Sequence, residues 1–167
     1  MSDSPTGLTH LSASGEARMV DVSAKEVTVR SATAAGRVLL SPDCVAALRD
    51  GEVPKGDALA VARIAGIQGA KQTPSLIPLC HPLSLSAVDV TVEVTDDGVE
   101  ISATVKTTDR TGVEMEALTA VSTAALAMID MIKAIDKRAV ISDIRVTAKS
   151  GGRSGDWRRD DGTGTGR

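Results

Sequence analysis

At 167 residues the chain is long enough for one domain with its own core, and 19 Lys and Arg against 22 Asp and Glu leave a net charge of −3. That balance excludes a protein that holds nucleic acid or an anionic membrane by overall charge, so any anion site must be a local cluster of basic side chains. One Trp, with no Tyr and no Phe, removes the aromatic platforms on which single-stranded nucleic acid stacks and leaves the core to Val, Ile, Leu, Met and Ala.

Residues 1–15, rich in Ser, Gly and Thr, and residues 150–167, rich in Gly, read as flexible ends around a single domain over 16–149. The first residues have no basic or apolar signal region and no stretch is apolar for long enough to span a bilayer, so a soluble, cytoplasmic, unexported protein is expected. Cys44 and Cys80 are far apart without a CxxC, and His10 and His81 are the two histidines, so neither a disulfide framework nor a metal site is expected.

Val27 and Val29 alternate with Thr28 and Arg30, and small residues continue to Gly36, which predicts a first strand. Pro42 to Arg49 predicts a short helix, with Pro in its first turn and Gly51 near its stop. Asp57 can cap a second helix bearing Leu59, Ala60, Val61, Ile64, Ala65 and Ile67, which Gly69 and Pro74 should end.

Leu76-Ile-Pro-Leu-Cys-His-Pro-Leu83 follows, a rigid apolar segment in which two prolines bias Ile77 and His81 toward extended geometry. Such framing aims the imidazole, a group whose ordinary pKa suits both proton transfer and phosphate contact. The plainer reading is a core histidine.

Val88, Val90, Val92 and Val94 alternate with polar residues, Asp96-Asp-Gly98 turns the chain, and Val99, Ile101, Ala103 and Val105 alternate again, a hairpin with one buried face. Residues 111–137 predict a long helix, and Ile144, Val146 and Ala148 stand at strand spacing. The order β, helices, β, β, α, β predicts an α+β class with the ferredoxin-like split β-α-β-β-α-β, an antiparallel sheet with helices on one face. Its other face needs a cover, and a second subunit predicts a homo-oligomer.

On the long helix, Asp130, Lys133 and Lys137 fall on one stripe, either a solvated ion pair of small worth or a proton-transfer pair if a pocket faces them. Thr111 and Glu114 fit a capping box, and Glu116 suits the positive end of the helix dipole. Glu114 and Asp130 are sixteen residues apart, roughly 24 Å along a continuous helix and on nearly opposite sides, so one small substrate could meet both only if different subunits supplied them. Arg30, Lys55, Arg63, Lys71 and Lys149 are the scattered cations from which a polyphosphate site would have to be gathered. No GxxxxGK[ST] loop or strand-borne GxGxxG is present.

Taken in order, Arg18-Met-Val-Asp-Val-Ser23, Pro54-Lys-Gly-Asp57, Ala62-Arg-Ile-Ala-Gly-Ile67, the segment Leu76 to Leu83, Thr111-Gly-Val-Glu-Met-Glu-Ala-Leu-Thr119, Asp130-Met-Ile-Lys-Ala134 and Lys149-Ser-Gly-Gly-Arg-Ser-Gly155 closely resemble the MoaC family of molybdenum cofactor biosynthesis. The resemblance implies conversion of 3′,8-cyclo-7,8-dihydro-GTP to cyclic pyranopterin monophosphate with loss of pyrophosphate. It also implies a hexamer of three dimers with the active site at the dimer interface. By motif position, Asp130 would be the catalytic acid/base and Lys133 its partner in proton transfer. Leu79, Cys80, His81, Glu114, Met115 and Glu116 would contact substrate, while Arg30, Lys55, Lys71 and Lys149 would hold the triphosphate. No cofactor is implied, a divalent ion travelling with the phosphates being left open. The chain departs from the family's usual residues at Ile129, commonly Tyr, at Gly69, usually Ala, and at Asp109-Arg110. The competing class is a non-catalytic nucleotide sensor on the same scaffold, which would have no need of a carboxylate beside its phosphate-binding cations.

Overall fold

A computed structural model describes residues 10–160, so the outermost parts of both expected flexible ends lie outside the described residues. Eight elements follow in order: β1 (Thr28–Leu39), α1 (Pro42–Asp50), α2 (Ala58–Leu76), β2 (Leu85–Thr95), β3 (Gly98–Asp109), α3 (Glu114–Ile132), β4 (Val140–Ser150) and β5 (Trp157–Arg158). The sheet runs β2-β3-β1-β4-β5 with every neighbour antiparallel. This is the α+β, ferredoxin-like split arrangement that the element order predicts. β5, within the Gly-rich stretch read as a tail, pairs Trp157 with Lys149 and Arg158 with Ala148.

The sheet's buried face is set by small residues on its central strand. Ala32, Ala34, Gly36 and Val38 face the helices, whereas Val29 is 68% exposed, so the valines that announce the strand lie outside its buried row. Gly36 shows why: a Cβ there would come 2.8 Å from Val121 of α3 and 2.9 Å from Ile144 of β4. Bulkier side chains would lift α3 off the sheet and open voids that a core without aromatics cannot fill. β4 takes up the close approach with a bulge opposite Gly36, where Asp143 adopts φ 58°.

α2 and α3 pack against each other through equally small residues. At Gly66 a Cβ would lie 3.1 Å from Ala120 O, and at Gly69 it would fall on the Thr123 side chain. Gly69 is therefore a packing residue inside α2, which neither it nor Pro74 terminates. Pro74 has no N–H for the Ala70 carbonyl, but the Thr73 hydroxyl donates to that oxygen at 2.9 Å, and the helix runs on to Leu76.

α3 is shorter at its far end than the predicted 111–137, closing at Ile132 in a tight turn in which Ile135 N and Asp136 N both donate to Ile132 O. At its start the capping box does not form: Val113 is the N-cap without a side-chain bond, and Glu114 turns to Lys149 instead, 3.3 Å away. α3 is long and apolar enough to cross a membrane by length and composition, yet half of it is buried here as the core helix. Met128 and Ile132 of α3 meet Ile101 and Val38 of the sheet in that core, all of them fully enclosed.

Candidate functional site at the two ends of one helix

At the N-terminal end of α3 lies a cavity of about 360 Å³. Leu79, Cys80 and His81 form one wall, Glu114, Met115 and Glu116 another, and Val20, Val22 and Lys25 from the segment before β1 a third. The proline-framed stretch thus does aim its histidine. His81 Nε2 donates to Val20 O at 2.6 Å, and since a carbonyl only accepts, the ring is fixed with its proton on Nε2 and Nδ1 left for other work.

Glu116 is 3% exposed, and burial, reinforced by the charge of nearby Glu114, pushes its carboxyl above the usual carboxylate range. The Cys80 thiol is likewise raised, by burial first and by Glu116 second. Glu114 stays paired with Lys149, whose ammonium also donates to Ser154 Oγ at 3.1 Å. Arg30 joins this end: its Nε donates to Asp109 O at 3.0 Å and its guanidinium lies against Gly152, whose φ of 77° and missing Cβ make room for it.

At the other end of α3, Asp130 is gripped by two ammoniums. Lys133 Nζ donates to Oδ1 at 2.8 Å and Lys55 Nζ to Oδ2 at 3.1 Å. These hydrogen bonds, Lys133's first, and then the charges themselves hold the Asp130 carboxyl below its usual range. The group is open to solvent, Asp130 being 57% exposed. The stripe expected from helical spacing is half right: Lys133 is in place, but Lys137 lies past the helix end, and the second cation comes from the loop before α2. That loop turns at Gly56, φ 105°, with Val53 buried beneath it.

Of the ten remaining residues carried by motif position, Leu79, Cys80, His81, Glu114, Met115 and Glu116 line one cavity, with Lys149 and Arg30 at its flank. Lys55 sits instead on Asp130, and Lys71 stands exposed on α2 in neither ion cluster. Sequence reasoning passed over Asp136, a buried carboxylate just beyond α3; an acid there opposes the helix dipole, and that mismatch was the available signal. Among the described residues no group of three or more His, Cys, Asp or Glu could hold a metal ion.

The fold thus presents a cavity framed by carboxylates and an imidazole with cations at its flank and, at the far end of the same helix, a carboxylate clasped by two lysines. These are group types able to hold a small anion and to carry a proton. The chain belongs to the MoaC family, whose sequence pattern it matches over residues 19–152. Curated relatives named cyclic pyranopterin monophosphate synthase include one from Nocardioides sp. (strain ATCC BAA-499 / JS614), 69% identical over 162 residues, 95% of this chain and 99% of that protein. Another, from Streptomyces griseus subsp. griseus, is 70% identical over 152 residues, covering 91% of this chain and 86% of its own. A third, from Chloroflexus aurantiacus (strain ATCC 29366 / DSM 635 / J-10-fl), is 57% identical over 161 residues, 95% and 99% of the two chains.

Proposed function

We propose that this chain, like the relatives it matches, is a cyclic pyranopterin monophosphate synthase: it converts 3′,8-cyclo-7,8-dihydro-GTP to cyclic pyranopterin monophosphate and pyrophosphate, in the cytoplasm, for molybdenum cofactor biosynthesis. The observation that carries the reading is Asp130 held between Lys133 and Lys55. The carboxylate is ionised at neutral pH and can accept a proton, and the ammonium beside it can donate one, so one spot can take a proton from the substrate and return one. A pure phosphate-binding site would gain nothing from that carboxylate, which repels the ligand.

In this reading Asp130 and Lys133 are the catalytic acid/base pair. Leu79, Cys80, His81, Met115 and Glu116 seat the ring system, and Arg30, Lys71 and Lys149 hold the triphosphate and stabilise charge on the departing pyrophosphate. Because α3 carries the cavity and the Asp130 cluster at opposite ends, one site uses both only when two chains meet, so the working form is a homo-oligomer with sites between subunits, a hexamer built as three dimers. No resident cofactor is assigned a role.

The test is incubation of the purified protein with the cyclised dihydro-GTP, scored for pyrophosphate and, after oxidation, for a fluorescent pterin. Ligand-induced stabilisation without either product would replace the synthase with the sensor.

A further inference from the structure

Glu116 and Asp136 are the two buried carboxylates among the described residues. Glu116 lines the cavity, whereas Asp136 does not, and its hydrogen bonds go to Ser41 and Arg138. Both its oxygens are taken by backbone: Oδ2 accepts from Ser41 N at 2.7 Å and Oδ1 from Arg138 N at 2.9 Å. Burying a carboxylate at the negative end of a helix is costly without such donors, and these two, Ser41's first, hold its carboxyl below the usual range.

What those bonds join is informative. Asp136 closes the turn whose first residue, Lys133, is the C-cap of α3. Ser41 is the N-cap of α1, and the far end of α1, at Gly51, opens the loop that delivers Lys55. One buried carboxylate therefore ties the segment carrying Lys133 to the helix that leads to Lys55. The two ion pairs on Asp130 are 44–58% exposed, and exposed pairs of this kind hold geometry weakly. Their register has to be set from beneath.

We propose that Asp136 is a positioning residue that keeps Lys133 and Lys55 jointly seated on Asp130. The inference rests on the synthase reading for its kinetic consequence, but its structural consequence can be read without turnover. In Asp136→Asn one bond survives while an amide NH₂ is set against the other N–H. The expected result is a kcat lower by about 10- to 100-fold with KM within about twofold, the size that a misplacement near 1 Å produces. In the same variant the Asp130 carboxyl, followed by ¹³C NMR, titrates closer to an ordinary carboxylate, a change that loss of stability alone does not produce.

Ser41→Pro is the second variant. It deletes only the backbone donor plus the hydroxyl cap, and the Ser41 φ of −65° already suits proline. Ser41→Ala removes the hydroxyl, which caps Cys44 N and makes a lesser contact to Asp136, but keeps the backbone donor. Ser41→Pro is expected to reproduce the kcat loss and the Asp130 shift, and Ser41→Ala, which keeps the stronger backbone bond to Asp136, to show a much smaller change in both. Wild-type kcat and wild-type Asp130 titration in whichever of Asp136→Asn and Ser41→Pro melts cooperatively would overturn the proposal. A wild-type protein that releases no pyrophosphate would instead overturn the synthase reading, leaving the Asp130 titration to judge Asp136.

Discussion

The two ends of α3 carry carboxylates driven in opposite directions. Glu116, enclosed and facing another acid, is held toward its neutral form, while Asp130, open to water and clasped by two lysines, is held toward its charged form. Both stand on one helix in one chain, so the contrast comes from surroundings alone: desolvation decides the first, charge-assisted hydrogen bonds the second. Two carboxyls with pKa values pushed apart are a natural acid and base, and here the helix's own length keeps them separated unless another chain brings its opposite end alongside.

The largest effect should come from breaking the charged end. Asp130→Ala or Lys133→Ala is expected to lower kcat by about 10³-fold or more while leaving the melting temperature almost unchanged, because an exposed ion pair adds little net stability. Turnover within tenfold of wild type in either purified variant would remove the proton-transfer assignment. The separation itself is tested next, by mixing two inactive chains, one Asp130→Ala and the other His81→Ala. If each site takes one helix end from each of two subunits, random re-assembly in a dimer restores about a quarter of wild-type activity, since half the dimers hold one intact site of two. Activity no higher than that of the separate variants would place both ends' work within single chains.

How much of this contrast was legible beforehand differs between the ends. The cavity end could be read because its signal is local: the prolines flanking His81, and the alternation of β2 and β3, act within a few residues, and the structure keeps them as written. The charged end was only half legible. Lys133 follows from i,i+3 spacing, but Lys55 reaches Asp130 from 75 residues away, a distance that no periodicity encodes. Lys137 looked equivalent because neither Gly nor Pro marks the helix end at Ile132; the chain leaves the helix in the turn that Asp136 closes, its carboxylate bonding Ser41 N and Arg138 N. Pro74 misled in the opposite sense, since Thr73 satisfies the carbonyl that the proline abandons.

Salt and pH sharpen the comparison with a smaller effect of opposite sign at the two ends. Asp130, its folded pKa depressed, favours the folded state above its unfolded pKa and loses that contribution as pH falls through the folded one. Glu116, its folded pKa raised, works in reverse: its environment is best suited below the unfolded pKa, and stability is lost as pH climbs from there toward the folded value. Raising salt to about 0.5 M shortens the screening length to a few ångströms and should move the exposed Asp130 titration back toward the ordinary range. Burial is not screened, so Glu116 should barely move, and Glu116→Gln should flatten the corresponding part of the stability–pH curve. Equal salt shifts at the two groups, followed by ¹³C NMR, would show that charge rather than desolvation governs both.

The smallest effect concerns how α3 begins. Glu114 could have been spent locally, reaching back from a capping box with Thr111, and it is instead turned outward to Lys149. Val113 caps without a side-chain bond, so the first turn of the helix forgoes a contribution that capping hydroxyls or carboxylates usually supply. Thr111→Ala should therefore cost less than about 0.5 kcal/mol in chemical denaturation, whereas Asp57→Ala, which removes a real cap on Ala60 N at 3.0 Å, should cost about 1 kcal/mol. Equal losses would mean that Thr111 does cap α3 in solution and that Glu114 is bound into the helix start. Unequal ones leave Glu114 and Lys149 as an ion pair held beside the cavity at the helix's expense, which is the arrangement expected where a charged ligand, rather than the fold, needs both groups.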